Sequence, residues 1–232
     1  MQQVMTMKHW MLGFSLIILG GGMSACAMGG ASWMEEVQLH DGSKLIAERS
    51  QRFGGRHEIG QKPPIKEEEI TFSLPGSSES ITWASEFSED VGRAYLLPLA
   101  LHISNKTPYI IATPNLCLAY NKWGRPNPPY VIFKQDGKAW RQIPLPELPV
   151  AFKEINLVIN TTKHDSVLAH QTLVRADVVK KLNSSLSQPE YQSIVREPLK
   201  PGVGCPELVY YKGGWVGPGD SIGRRMMDRM SK

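Results

Sequence analysis

VIFKQDGKAWRQIPL, residues 131–145, decides the fold. It divides into Val131 to Gln135 and Lys138 to Leu145 around Asp136-Gly137. An Asp-Gly pair between two such runs is a strong hairpin signal, because glycine supplies a positive φ at no steric cost. The pattern recurs upstream. Asp41-Gly42 separates Glu35 to His40 from Ser43 to Arg52, with Val37, Leu39 and Leu45 in strand alternation. A type I′ turn is expected there, with positive φ at both corner residues. Glu69 to Leu74 and Ser80 to Phe87 flank Pro75 to Glu79, and Ile70, Phe72 and Leu74 alternate against Ile81 and Trp83. That is a second hairpin with one buried face. Tyr95 to Ser104 and Tyr109 to Thr113 form a third pair around Asn105-Lys106-Thr107, with Pro98 directing its first strand to a sheet edge.

The rhythm changes later in the chain. Glu154 to Asn160 (EINLVIN) reads as a strand, but Val174, Val178 and Leu182 recur every four residues. This predicts a short amphipathic helix over Ala176 to Ser185. Ser187-Gln188-Pro189-Glu190 has the letters of a capping box, so a second helix is expected to about Val195. Glu207 to Lys212 reads as a last strand closing a sheet. The expected fold is mainly β (α+β), an antiparallel hairpin-rich sheet or sandwich with a two-helix insertion near the C-terminus. The expected domain is 35–212, followed by a loose glycine-rich basic tail, 213–232.

The Asp136-Gly137-x-x-Trp140 pattern also resembles the Asp-box hairpins of sialidase-type propellers. It lacks the residue those hairpins carry between Asp and Gly and occurs once. No internal repeat at a propeller or solenoid period is present.

Charge narrows the function classes. The 232-residue chain has 26 basic and 22 acidic side chains. Lys8 lies in the N-terminal leader, and Arg224 to Lys232 (RRMMDRMSK) holds four basic groups and one acidic group. The body between is neutral. Nucleic-acid binding needs a concentrated basic face, so that class is disfavoured. The basic tail could touch anionic headgroups or be a solvated end.

The N-terminus reads as an address. Lys8 and His9 precede the apolar run Trp10 to Leu19, then Gly20 to Gly22 and Met23-Ser24-Ala25-Cys26. This is the layout of a secretory leader, and the run is shorter than the ~20 apolar residues of a membrane span. Met23 to Cys26 resembles a bacterial lipobox, with Met23 in place of the usual Leu. The resemblance implies cleavage before Cys26 and lipidation of its thiol and new amine. With Ala27 rather than Asp next, it implies an outer-membrane destination. On this reading residues 1–25 are the leader and 26–34 the lipidated cysteine and a linker. The whole chain then resembles the envelope lipoproteins of proteobacteria. Ala25-Cys26-Ala27 also fits an ordinary A-x-A cut, which would release a soluble periplasmic protein.

Cys117 and Cys205 remain after either cut. In an oxidising compartment they read as one disulfide, with two buried free thiols as the alternative. Neither lies in a C-x-x-C and no histidine set accompanies them, so no metal or other cofactor is expected.

Candidate chemistry is sparse. His164-Asp165-Ser166 has the letters of a hydrolase triad, but adjacent residues point different ways and Asp165-Ser166 suits a helix start. His164 and His170 are six apart and do not share a helix face. The loop Gly54 to Gly60 carries His57 and Glu58. Tyr120, Trp123, Arg125, Tyr130 and Trp140 lie on or beside a Pro-rich connection, where rings and a guanidinium could stack on a sugar or a protein. Alternatively, Trp140 packs in the core and the connection is merely rigid.

The expected function is a periplasm-facing, lipid-anchored binding module without catalysis. Its partner would be an envelope component or protein; an immunity-type protein sequestering a periplasmic toxin is one version. The alternatives are an envelope hydrolase acting on glycan or lipid, with His57 and Glu58 converging on the aromatic connection, and a structural lipoprotein without a ligand.

Overall fold

Alternating burial along the strands produces two face-to-face sheets. A computed structural model describes residues 29–55, 57–159, 163–200 and 204–231. The expected leader and Cys26 lie outside the described residues. The first sheet consists of β1 (Gly30–Gln38), β2 (Lys44–Phe53), β3 (Ile65–Ser73) and β4 (Ser80–Ser85), each antiparallel to its neighbour in chain order. A two-residue pair, β5 (Phe87–Ser88) and β6 (Arg93–Ala94), leads to the second sheet. That sheet consists of β7 (Leu96–Ser104), β8 (Thr107–Pro114), β9 (Val131–Asp136) and β10 (Ala139–Ile143) in the order β10-β9-β8-β7. The fold is mainly β, as expected.

One face of each sheet forms the central core. Val37, Leu45, Ala47, Ile70, Phe72 and Trp83 of the first sheet meet Leu96, Leu101, Ile110, Ala112 and Val131 of the second. The second sheet is buried on its other face too. There Tyr109, Ile111, Tyr130 and Ile132 pack under Leu148, Phe152 and Ile194 from the C-terminal excursion. Burial on both faces explains why β8 is almost uniformly apolar, whereas β2 alternates. Each fully buried Ile, Leu or Phe in such a core contributes about 1.5–3 kcal/mol.

The turns refine the hairpin reading. Asn105 and Lys106 both take positive φ between the paired Ser104 and Thr107, as a type I′ corner requires. Asp41-Gly42 does not form the expected type I′ turn. His40, Asp41 and Gly42 form a three-residue connection in which Gly42 alone has positive φ, while Leu39 N donates to Ser43 O at 2.8 Å. In the opening stretch, Asp136 pairs with Ala139, so the corner is Gly137-Lys138. Pro98 lies on edge strand β7, beside a register shift.

Helices and irregular chain make the outer layer. α1 (Leu116–Lys122) follows β8; α2 (Asp165–His170), α3 (Ala176–Asn183) and α4 (Pro189–Gln192) lie in the excursion. α2 and α3 pack against β1 through Trp33, Val158, Leu168, Val174 and Val179. The β1 edge is closed by Val174, whose N donates to Met34 O and whose O accepts from Glu36 N, both at 2.8 Å. β11 (Val209–Tyr211), β12 (Gly214–Val216) and α5 (Ser221–Met230) complete the described chain.

Several expectations are corrected. Residues 30–34 are strand rather than linker. Glu154 to Ile159 is not a regular strand. Its Asn156 side chain accepts from Leu101 N at 2.9 Å and donates to Leu101 O at 2.8 Å, so that β7 residue is met by a side chain, while Leu157 N donates to Leu99 O at 3.1 Å. The second insertion helix stops at Gln192, and no side chain caps it. Ser193 turns extended and bridges Glu154. Residues 209–211 do not close a main sheet but pair with 214–216, so the expected loose tail contributes one strand of a hairpin and a helix.

Cys117 and Cys205 form a disulfide with Cα atoms 5.1 Å apart. The loop spans 88 positions. Chain entropy assigns a bridge of that span about 4–5 kcal/mol as an upper figure. It holds the chain leading to β11 against α1.

Candidate functional site

The period-two pattern that buries apolar residues also carries charge inward. On the inner face of the first sheet, Trp33 opposes Arg49, Arg49 opposes Ile70, and Gln51 opposes Glu68. Glu35, Arg49 and Glu68 are all fully buried. Arg49 Nη1 donates to Glu35 Oε2 at 2.9 Å and to Val158 O at 2.9 Å, and its Nη2 donates to Glu68 Oε1. Glu35 also accepts from Trp33 Nε1 at 2.8 Å and from Val158 N at 2.6 Å. The Trp33 ring lies 4.9 Å from the guanidinium carbon.

Burial opposes the charge on Arg49, but the Glu35 and Glu68 carboxylates outweigh it and hold its pKa above the ordinary arginine value. Burial pushes the Glu68 carboxyl up, against the pull of Arg49. Arg49 Nε is buried and has no hydrogen-bond partner among the described residues.

A cleft of about 620 Å³ opens over this network. Arg49 and Glu68 line it from the first sheet and Arg93 from β6; Leu97 and Pro98 come from β7, and Leu116 from the start of α1. Lys163 lies on the excursion side. The side chains of Arg93 and Lys163 have no hydrogen-bond or ion-pair partner among the described residues. Leu116 is exposed and has a φ of 67°, an unusual conformation for a bulky residue. The cleft volume falls in the range of small-ligand sites. Its chemistry is a buried guanidinium paired with the Glu68 carboxyl, two cations without partners among the described residues, and an aliphatic wall.

The residues singled out from sequence separate. Tyr120 lies on α1, with the Arg125 guanidinium 5.1 Å from its ring centre. Arg125 donates to Asn121 Oδ1 at 3.0 Å, Pro206 O at 3.1 Å and Cys205 O at 3.0 Å, clamping the segment carried by the disulfide. Trp123 packs against Tyr95 and Phe133, with its Nε1 buried and without a partner among the described residues. Tyr130 is buried on the opposite face of the second sheet. Its hydroxyl lies 3.1 Å from both Glu190 O and Ser193 O and accepts from Val195 N at 3.2 Å. Trp140 donates from Nε1 to Thr82 O at 2.7 Å, joining β10 to β4. These contacts are packing and chain-tying contacts; the five do not form one surface.

His57 lines the cleft and its Nδ1 donates to Gly55 O at 2.9 Å, whereas Glu58 accepts from Gln61 Nε2 at 3.1 Å. Neither meets the aromatic connection. Asp165 begins α2 as read, and His170 Nδ1 donates to Ser166 O at 2.5 Å. No cluster of three metal-ligating side chains occurs among the described residues.

His102 is a second buried titratable group, outside the cleft. It stacks on Phe152 at 4.7 Å, and its Nε2 donates to Glu154 O at 2.9 Å. Burial pulls its pKa down to about 4.

The buried network escaped the sequence reading, which treated each hairpin as simply amphipathic. A signal was present: Glu35, Arg49, Gln51 and Glu68 occupy inward positions, in step with the apolar residues that the same strands turn inward.

Comparison with protein-family models, curated proteins and solved structures gave no match.

Proposed function

We propose that this protein is a lipid-anchored binding module of the bacterial envelope, facing the periplasm, and that it binds without catalysis through the cleft over Arg49. The lipobox-like Met23 to Cys26 supports the anchor. Acyl chains on Cys26 would hold the protein durably to a membrane. The observation that carries the binding role is the placement of Arg93 and Lys163, without partners among the described residues, at a cleft floored by buried Arg49. This suits a ligand presenting a carboxylate or phosphate, with Leu97, Pro98 and Leu116 beside an apolar portion. An acidic loop of a sequestered toxin is one such ligand; an anionic envelope component is another.

The test is crosslinking and pull-down from native envelopes of the wild type and Arg93→Glu/Lys163→Glu. A partner captured by the wild type and lost from the variant is the expected result. Equal capture by both proteins would remove the cleft from consideration. Radiolabelled palmitate should enter the wild type and not Cys26→Ala; equal labelling would refute lipidation at Cys26.

A further inference from the structure

We infer that α5 lies on an anionic phospholipid surface beside the N-terminal anchor. The second half of that statement rests on the lipid anchor proposed above.

α5 has two dissimilar sides. Asp220 starts it by accepting from Gly223 N at 2.8 Å. Its inner side is fully used. Met227 packs on Gly214, so closely that a side chain there would meet its sulfur. Asp228 accepts from Tyr211 Oη at 3.0 Å and from Lys212 Nζ at 2.5 Å. Arg224 lies over the Tyr211 ring and donates to Pro218 O at 3.0 Å.

The outer side carries Ile222, Met226 and Met230, spaced by four and exposed by 73%, 58% and 71%. That spacing makes one stripe. Arg225 is three positions from Ile222 and Arg229 three from Met226, so both border the stripe along one side. A helix of a water-soluble domain normally turns such a stripe inward. Here no described residue covers it, and its only acid, Asp228, is engaged by Lys212 on the inner side. An exposed apolar stripe bordered by arginines is the pattern of a helix lying in a membrane interface. Charge favours lipid over a protein surface of ordinary balance: the tail holds four basic groups and one acid on an otherwise neutral body.

Placement agrees. β1 enters the fold where Gly29 O accepts from Phe53 N at 2.7 Å. Two residues on, Gly55 lies so near Gly92 O that an added Cβ would stand 2.6 Å from it. In the same loop, Asp90 O accepts from Trp215 Nε1 at 2.6 Å. Trp215 belongs to β12, which carries α5. The loop that meets the chain entry therefore also holds the strand that carries α5. Cys26 is three residues before Gly29, within about 10 Å of extended chain.

The test is amide hydrogen exchange of α5 in the full, natively processed protein mixed with phosphatidylglycerol-containing or pure phosphatidylcholine vesicles. Exchange in α5 should slow about tenfold or more with phosphatidylglycerol and not with phosphatidylcholine, the scale of two arginines near an anionic surface. Arg225→Glu/Arg229→Glu should abolish the slowing, and so should Ile222→Ser/Met226→Ser/Met230→Ser; both spare the inner contacts. Equal exchange on the two vesicle types would overturn the inference. So would slowing that rises with protein concentration without vesicles, which would assign the stripe to a second copy. Sedimentation with phosphatidylcholine reports the anchor separately. Loss of that sedimentation, with α5 still slowed on phosphatidylglycerol, would refute the anchor and leave the helix assignment standing.

Discussion

The inner face of the first sheet has two halves made by the same strands. In one, Val37, Leu45, Ala47, Phe72 and Trp83 meet the second sheet as a dry core. In the other, two or four residues along each strand, Glu35, Arg49, Gln51 and Glu68 occupy equivalent inward positions. Both halves are equally hidden from water, yet their energetics differ. Apolar burial stabilises without specifying direction. Buried charges cost solvation, and pairing recovers it only when the geometry is good. The charged half contributes little net stability but sets fixed donors and acceptors at the floor of a cleft. Such a floor can select a ligand by charge.

The comparison can be broken most sharply at Arg49. Arg49→Met strands two buried carboxyls and is expected to cost about 3–5 kcal/mol in denaturant unfolding. Glu35→Gln/Arg49→Met/Glu68→Gln removes the charges together and should recover more than half of that loss while abolishing ligand capture. A triple variant as unstable as Arg49→Met would show that the network itself holds the sheet together.

His102 tests the alternative fate of a buried ionisable group, giving up its charge. Its pKa in the fold is about 4, against 6.5 when unfolded. Below pH 6.5 the unfolded chain takes the proton and the native one does not. The His102 contribution is therefore complete above pH 6.5 and is lost as pH falls towards 4, by roughly 3 kcal/mol in total. Glu68, with its pKa raised, has the opposite slope above its ordinary value. The difference between wild type and His102→Gln isolates the histidine: that difference should change with pH across this window. A flat difference would remove His102 as the origin.

Smaller effects are expected elsewhere on the sheet. Ile70→Val, beside Arg49 in register and in the dry core, should cost about 1 kcal/mol in thermal or denaturant melts. A much larger loss would mean that the apolar half also positions the network. Lys44→Ala removes an exposed partner of Glu36, a 2.7 Å pair on the outer edge, and should cost less than about 1 kcal/mol. A loss approaching that of Arg49→Met would erase the distinction between buried and exposed charge.

The legible parts of the fold were local. Turn glycines and alternating apolar residues located the hairpins, and a four-residue rhythm located α3, because each signal lies within about ten residues. The misread parts depend on distant partners. EINLVIN has strand composition, but Asn156 uses its side chain on Leu101 and displaces a regular ladder. The Ser187 to Glu190 pattern lacks its cap, and Ser193 leaves the helix to bridge Glu154. Trp123, Arg125 and Trp140 are close in sequence, but their contacts diverge. Each has its own distant partner: Phe133, Cys205 and Thr82.

By itself, the sequence determined a hairpin-rich β protein, its neutral body and basic end, and a cysteine pair available for one bridge. Composition and short-range periodicity carry those properties regardless of how the strands assemble. Only the tertiary structure decided that Glu35, Arg49 and Glu68 meet, that Arg93 and Lys163 reach the same cleft, and that Trp215 ties the strand carrying α5 to the Asp90 loop. Those relations join residues from separate strands and loops. A period-two pattern states which face a side chain takes and is silent on which side chain from another strand it meets.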